Sequence, residues 1–242
     1  MKILVCIPAL YNAEVLKECL QQVVDRTDVD VLVLDNGAEA AIKRLLTDFN
    51  YKHNIKVWHN HKNEFVNRPW NDFIAHFLDT DRYDYLCIMN SDLLLQDNWA
   101  DVLRNRWNQY PDEIILPTLS DDKELMKKRV SPQISLATVV HSGTPGVFIT
   151  LNKEQAKMVY PLPHGLVKIW FGDEWIFEIC RKTFHKTVIP ENFLAFHHWS
   201  ATLQLLPNKD ALLEEDKKMW EQTGKHKLAE KIESLLQQQK PK

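Results

Sequence analysis

The chemistry open to this chain rests on a few short polar clusters, most of them closing or opening an apolar run. Asn90-Ser91-Asp92 closes the run Tyr85–Met89. An aspartate there suits a hard divalent cation, because Mg²⁺ and Mn²⁺ prefer oxygen ligands and take one or two carboxylates plus substrate phosphates. The same residue could instead cap the next segment, with Leu93–Leu95 packing beneath it. Asp35, followed by Asn36 and Gly37, could accept hydrogen bonds from a nucleobase or a ribose hydroxyl, and an Asx turn reads equally well. Phe171-Gly172-Asp173-Glu174 sets two carboxylates just ahead of a helix. Either could take the proton from an attacking hydroxyl, or both could complement the helix dipole. His197-His198-Trp199-Ser200 offers imidazole nitrogens to a metal, with a structural role as the alternative.

The elements that must position these clusters are legible as hydrophobic periodicity. Short apolar runs predict strands over residues 2–7, 30–34, 55–58, 85–89 and 114–116. Between them, apolar positions three and four apart predict helices over 13–24, 39–49, 69–78 and 99–110. Strands alternating with helices imply a mostly parallel sheet sandwiched by helices, with ligands bound beyond the carboxyl ends of the strands. The polar residues at those ends are 8–12, 35–37, 60–63 and 90–92. Residues 117–146 read as a long loop with at most short pieces of structure, since Pro132, Gly143 and Pro145 interrupt it. A strand over 147–151 and a helix over 174–183 follow. The charged tail from 210 to 239 reads as two helices broken near Gly224.

Composition narrows the classes. With 242 residues, 45% of them hydrophobic, one sizeable α/β core is expected. A formal net charge of -3 leaves no global basic field for nucleic acid or an anionic membrane. Cys6, Cys19, Cys87 and Cys180 form no C-x-x-C pair and read as reduced core thiols. No run approaches the roughly 20 apolar residues of a membrane span. The start of the chain reads as a first strand rather than a leader, because its apolar run is short and ends at Pro8. A soluble, cytoplasmic protein is expected, in a host cytoplasm if the source is viral.

Taken in order, the clusters resemble the family 2 glycosyltransferases with a GT-A fold, especially the rhamnosyltransferase-like branch. Ile7-Pro8-Ala9-Leu10-Tyr11-Asn12 resembles that family's first-strand ending. Val33-Leu34-Asp35-Asn36-Gly37-Ala38 resembles its V-D-N-x-S element, whose aspartate holds the nucleoside. Asn63 through Asn71 resembles its N-x-G-x-x-x-x-W-N stretch, with Trp70-Asn71 matching directly. Residues 85–92 match the strand ending in N-x-D, the family's form of the D-x-D metal motif. Pro145-Gly146-Val147-Phe148 looks like the G-x-F strand before the acceptor region. Gly172-Asp173-Glu174 falls where an acidic pair supplies the base, and His197-His198-Trp199-Ser200-Ala201-Thr202 resembles the late H-x-x-S-x-T element. The likeness spans residues 2 to 203, with three departures. Phe65 stands where the glycine after Asn63 is expected, the acidic pair is Asp-Glu rather than Glu-Asp, and Asn90 replaces the first acid of D-x-D.

The resemblance implies a GT-A domain over residues 1–205, nucleotide-binding to about 116 and acceptor-binding beyond, with a helical extension over 206–242. It implies sugar transfer from a nucleotide-diphosphate donor, UDP-linked above all, with inversion at the anomeric carbon. Pro8, Ala9, Tyr11, Asn12, Asp35, Asn36, Asn63, Trp70, Asn71, Asn90 and Ser91 would hold the donor. Asp92 with His197 or His198 would hold Mn²⁺ or Mg²⁺, and Asp173 or Glu174 would be the base. The acceptor hydroxyl belongs to a glycan or to a hydroxymethylated pyrimidine in DNA, as in viral genome modification. Lys123, Lys127, Lys128 and Arg129 could meet phosphates there, although a solvated charged loop is the plainer reading. A catalytically inactive nucleotide-sugar-binding module is the rival. A sugar-phosphate nucleotidyltransferase would need a glycine-rich basic loop after the first strand, and a dinucleotide enzyme G-x-G-x-x-G; residues 8–12 contain no glycine.

Overall fold

The computed structural model describes residues 1–140, 146–183, 185–198 and 203–238. Pro145 and the Trp199-Ser200-Ala201-Thr202 part of the late element lie outside the described residues. The first half alternates as the periodicity predicts: β1 (Ile3–Ala9), α1 (Ala13–Val23), β2 (Val29–Asn36), α2 (Ala40–His53), β3 (Lys56–Asn60), α3 (Asn67–Leu78) and β4 (Tyr85–Met89). Then come β5 (Leu93–Leu95), α4 (Trp99–Gln109), β6 (Ile114–Ile115), β7 (Thr118–Ser120), β8 (Ala137–Val139), β9 (Phe148–Asn152), α5 (Lys153–Val159), α6 (Gly172–Lys182), β10 (Thr187–Pro190), β11 (Leu194–His197), α7 (Lys209–Met219) and α8 (Lys225–Gln238).

The central sheet has the order β3-β2-β1-β4-β9. Its first four strands are parallel, and β9 joins antiparallel through Met89 opposite Phe148. Alternation along β1 divides the core. Ile3, Val5 and Ile7 face the layer of α1, α2 and α4, where Leu16, Leu20, Ile42, Leu46, Trp99 and Leu103 are buried. Leu4 and Cys6 face the opposite layer, with Phe73 and Phe77 of α3, Val159 of α5, and Ile176 and Ile179 of α6. Both faces of the parallel strands are covered, which is why they read as continuous apolar runs. All four cysteines are buried and free of disulfides.

Three expectations are corrected. The strand expected over 114–116 does not extend the central sheet. As β6 it lies beside β10 in a separate sheet of order β6-β10-β8, and Thr150 Oγ1 accepts from Ile115 N at 2.7 Å. Leu93–Leu95 does more than pack beneath Asp92, since as β5 it pairs with β11 in a third sheet, β5-β11-β7. The tail forms the two expected helices, but the junction near Gly224 is not a gap. A π-turn over Trp220–Gly224 joins α7 to α8, and glycine is required because a Cβ there would run into the Trp220 ring. No helix among the described residues is long and apolar enough to cross a membrane.

Candidate active site

The carboxyl ends of β1, β2 and β4 open into a cleft of about 290 Å³. Pro8 and Leu10 come from the end of β1, Asn36 from β2, and Asn90, Ser91 and Asp92 from β4. The opposite wall is built by Gly146 and Val147 before β9, Ile169, Trp170, Gly172 and Asp173 at the start of α6, and His197 at the end of β11. Nine of the residues singled out in the sequence therefore share one cavity: Pro8, Asn36, Asn63, Trp70, Asn90, Ser91, Asp92, Asp173 and His197.

An asparagine network shapes one end of the cleft. Asn36 Nδ2 donates to Asn63 Oδ1 at 3.1 Å and to the Phe65 carbonyl at 2.8 Å. Asn36 Oδ1 accepts from Asn60 Nδ2 at 2.9 Å and from Glu64 N at 3.1 Å. The loop after β3 is thus tied to the end of β2, and Gly37, at φ 73°, lies against it so closely that a Cβ would strike the Lys62 backbone. Phe65 takes φ 62° where the resemblance expects greater freedom, held by Asn63 Oδ1 accepting from its N–H at 2.8 Å.

Asp35 makes the turn. Its Oδ1 accepts from Ala38 N at 2.7 Å and its Oδ2 lies 2.9 Å from His59 Nδ1. Both oxygens are engaged within the protein, and Asp35 does not line the cleft. Ala9, Tyr11, Asn12 and Asn71 are not in its lining either. Asn12 caps α1, accepting from Val15 N at 3.4 Å. Asn71 grips the backbone of Leu162, accepting from its N–H at 2.8 Å and donating to its carbonyl at 3.0 Å. Trp70 differs from its neighbour. It is buried against the cleft, and its indole N–H finds no hydrogen-bond partner among the described residues.

At the centre, His197 Nε2 lies 3.2 Å from Asp92 Oδ1, both side chains 5% exposed. The backbone reinforces the pair, because His198 N donates to the Asp92 carbonyl at 3.0 Å. His198 itself turns away, with Nε2 3.4 Å from Glu18 Oε2. Glu18 also receives Lys123 Nζ at 2.8 and 2.7 Å. Among the described residues no three His, Cys, Asp or Glu side chains converge as a metal cage. One carboxylate oxygen and one imidazole nitrogen fit a divalent ion that completes its shell with diphosphate oxygens and water.

The two acids lie in the first turn of α6 rather than ahead of the helix, and they are held apart. Asp173 Oδ2 accepts from Gly146 N at 3.0 Å and Oδ1 from Glu174 N at 2.9 Å. Burial pushes its carboxyl above the usual aspartate range, against the pull of these N–H groups. Glu174 is exposed and points elsewhere, accepting from Trp220 Nε1 at 3.3 Å; burial raises its carboxyl too, with the Trp220 bond opposing. Phe171, the N-cap of α6, sits at φ 66°, a costly conformation for an aromatic residue. Its ring stacks on Trp220 at 4.9 Å between centroids and 6° between planes, which helps to hold it there.

The Glycosyl transferase family 2 model matches residues 4–155, more than half of the chain. The chain belongs to glycosyl transferase family 2. The matched stretch carries Pro8, Asp35, Asn63, Trp70 and Asp92, whereas Asp173 and His197 lie beyond it. No curated protein sequence matches the chain. Solved structures share the GT-A fold at low identity. Residues 1–349 of TarS from S. aureus are 14% identical with a TM-score of 0.61, the match covering 92% of this chain and 72% of that one. GalNAc-T7, solved with UDP, GalNAc and Mn²⁺, is 13% identical at 0.59, covering 81% and 43%. The mannosyltransferase PcManGT of Pyrobaculum calidifontis, solved with GDP-Man and Mn²⁺, is 13% identical at 0.60, covering 81% and 56%.

Several wall residues gave no signal in the sequence. Ile169, Leu203 and Leu206 are apolar and belong to no polar cluster, and Leu10 and Val66 lie inside motifs of the resemblance without being marked as site residues. Trp170 had one available clue, its place just ahead of the Gly172-Asp173 pair.

Proposed function

We propose that the chain transfers a sugar from a nucleotide-diphosphate donor, a UDP-sugar above all, to a hydroxyl acceptor, with inversion at the anomeric carbon. The observation that carries this reading is the convergence of the Asp92–His197 pair and Asp173 on one cleft. Asn36, Asn63 and Pro8 would shape the nucleoside end. Asp92 and His197 would hold Mn²⁺ or Mg²⁺ against the diphosphate, and the ion, when bound, supplies positive charge where the leaving group becomes more negative.

Asp173 is the base in this proposal, because it faces the cleft while Glu174 is occupied with Trp220. Its raised proton affinity suits it to receive a proton from the acceptor hydroxyl as that oxygen attacks the anomeric carbon. Structures of related fold carry UDP, UDP-GlcNAc or GDP-Man, which supports a nucleotide-sugar donor here.

A donor screen by nucleotide release, run on purified protein with Mn²⁺ or Mg²⁺ and a mixture of glycoside and hydroxymethylated-DNA acceptors, tests the proposal. Release from one nucleotide sugar, lost in Asp92→Ala, is expected. Turnover of that donor at the wild-type rate by Asp92→Ala would contradict the assignment of Asp92. Absence of any turnover would favour an inactive binding module.

A further inference from the structure

We infer that Trp170 is the platform on which the ring of a saccharide acceptor docks, placing its hydroxyl edge toward Asp173. The inference rests on the transferase reading and names the substrate class for the same cleft. Trp170 is 43% exposed, whereas Trp70, Trp99, Trp107, Trp175 and Trp220 are all buried. Exposing so much indole at a cavity wall is costly in water and is relieved when an apolar surface covers it.

The exposure does not come from a loose loop. Asp216 of α7, itself 1% exposed, accepts from Lys168 N at 2.9 Å, Ile169 N at 2.7 Å and Trp170 N at 3.0 Å. From the other side, Asn67 Nδ2 donates to the Trp170 carbonyl at 2.9 Å, while the Val66 and Asn67 N–H groups donate to the Lys168 carbonyl at 3.0 and 3.1 Å. The indole is therefore presented by a backbone clamped between α3 and α7. A rigid aromatic surface gives contact area at little entropic cost.

Its place in the chain sets what it can serve. Trp170 stands three residues before Asp173, and three residues span at most roughly 10 Å. A ligand lying on the indole is thus within reach of the base. Ile169, Leu203 and Leu206 extend the apolar wall. A flat apolar surface beside a carboxylate matches a pyranose, which has an apolar C–H face and a hydroxyl edge.

A nucleobase also has a flat face, but DNA brings phosphates, and the local charge does not favour them. Lys123, Lys127, Lys128 and Arg129 do not line the cleft, Lys123 is taken up by Glu18 and Lys127 by Glu124, and the chain carries a formal charge of -3.

Saturation-transfer NMR reads the contact directly. The probes are the methyl pyranosides of glucose, galactose, mannose and N-acetylglucosamine, each added to full-length protein with UDP and Mn²⁺, and separately a hydroxymethylcytosine oligonucleotide. At least one pyranoside should receive saturation at its ring C–H protons. Its affinity should fall roughly tenfold in Trp170→Ala and only two- to threefold in Trp170→Phe, which keeps a smaller ring. Thermal unfolding of both variants near the wild-type temperature would show that the fold is kept. No pyranoside signal on the wild type, an unchanged affinity in Trp170→Ala, or Trp170-dependent binding of the oligonucleotide alone would each overturn the inference. Nucleotide release by the wild type is scored apart, so a failed transferase reading is told from a failed platform.

Discussion

Removing the Asp216 carboxylate should be among the most damaging single changes in the C-terminal helices. Three backbone N–H groups, at 2.7 to 3.0 Å, end on its two oxygens, and the residue is 1% exposed. Hydrogen bonds to a charged group contribute about 1.5–3 kcal/mol each, but three sharing one carboxylate are not additive, and water entering a truncated site recovers part. A loss of about 3–5 kcal/mol for Asp216→Ala is the resulting expectation, in the range for breaking a buried charged contact. In a chain of this size that lowers the melting temperature by roughly 10 °C, at about 2–4 °C per kcal/mol. Asp216→Asn keeps an acceptor oxygen and should cost less than half as much. Urea titration with thermal melts checks both. The reasoning fails if Asp216→Ala costs under about 1 kcal/mol, because the three bonds would then add nothing that water cannot replace.

The site yields further expectations. Asp173→Asn should lower kcat by a factor of roughly 10²–10⁴, while Glu174→Gln, whose side chain bonds Trp220 and does not line the cleft, should stay within about twofold of wild type. Steady-state kinetics on the donor found by the screen separates them. The burial-raised carboxyl of Asp173 must lose its proton to act, so kcat/KM should rise with pH through a midpoint above the ordinary aspartate range; a midpoint at or below that range in a pH–rate profile would count against it as base. Gly146→Ala sets a Cβ into the Asp173 side chain, so activity should fall at least tenfold for a stability loss of about 1–3 kcal/mol. Equal turnover by Gly146→Ala and wild type would show that this contact does not place the base.

Much of this architecture was legible in the sequence, for a physical reason. The apolar runs of β1, β2 and β4 are buried on both faces, and α1 and α3 each bury one stripe, so pattern and structure coincide. The short strands were harder. β10 and β11 are four residues each and β5 three, too short for a period to show, and their pairing is set by distant partners. Among polar residues, a strand-end position singled out Asp92 and proximity to a helix start singled out Asp173, and both line the cleft, but neither signal distinguishes a side chain that faces a cavity from one that grips the backbone. Asn71 sits beside Trp70 in the same motif, yet helical geometry turns it toward Leu162. Asp216 carried no local mark, because its partners lie 46 to 48 residues away.

The proposal that the cleft holds a nucleoside diphosphate through an ion shared with Asp92 and His197 is tested most directly by calorimetry. UDP is titrated into the wild type and Asp92→Ala, each with Mn²⁺ and with a chelator, and Mn²⁺ is titrated into protein without nucleotide. With only two protein ligands, the ion alone should bind weakly, and UDP should bind at least tenfold more tightly with Mn²⁺ than without, an advantage lost in Asp92→Ala. Tight Mn²⁺ binding in the absence of UDP, or UDP affinity indifferent to both the ion and Asp92, would contradict it.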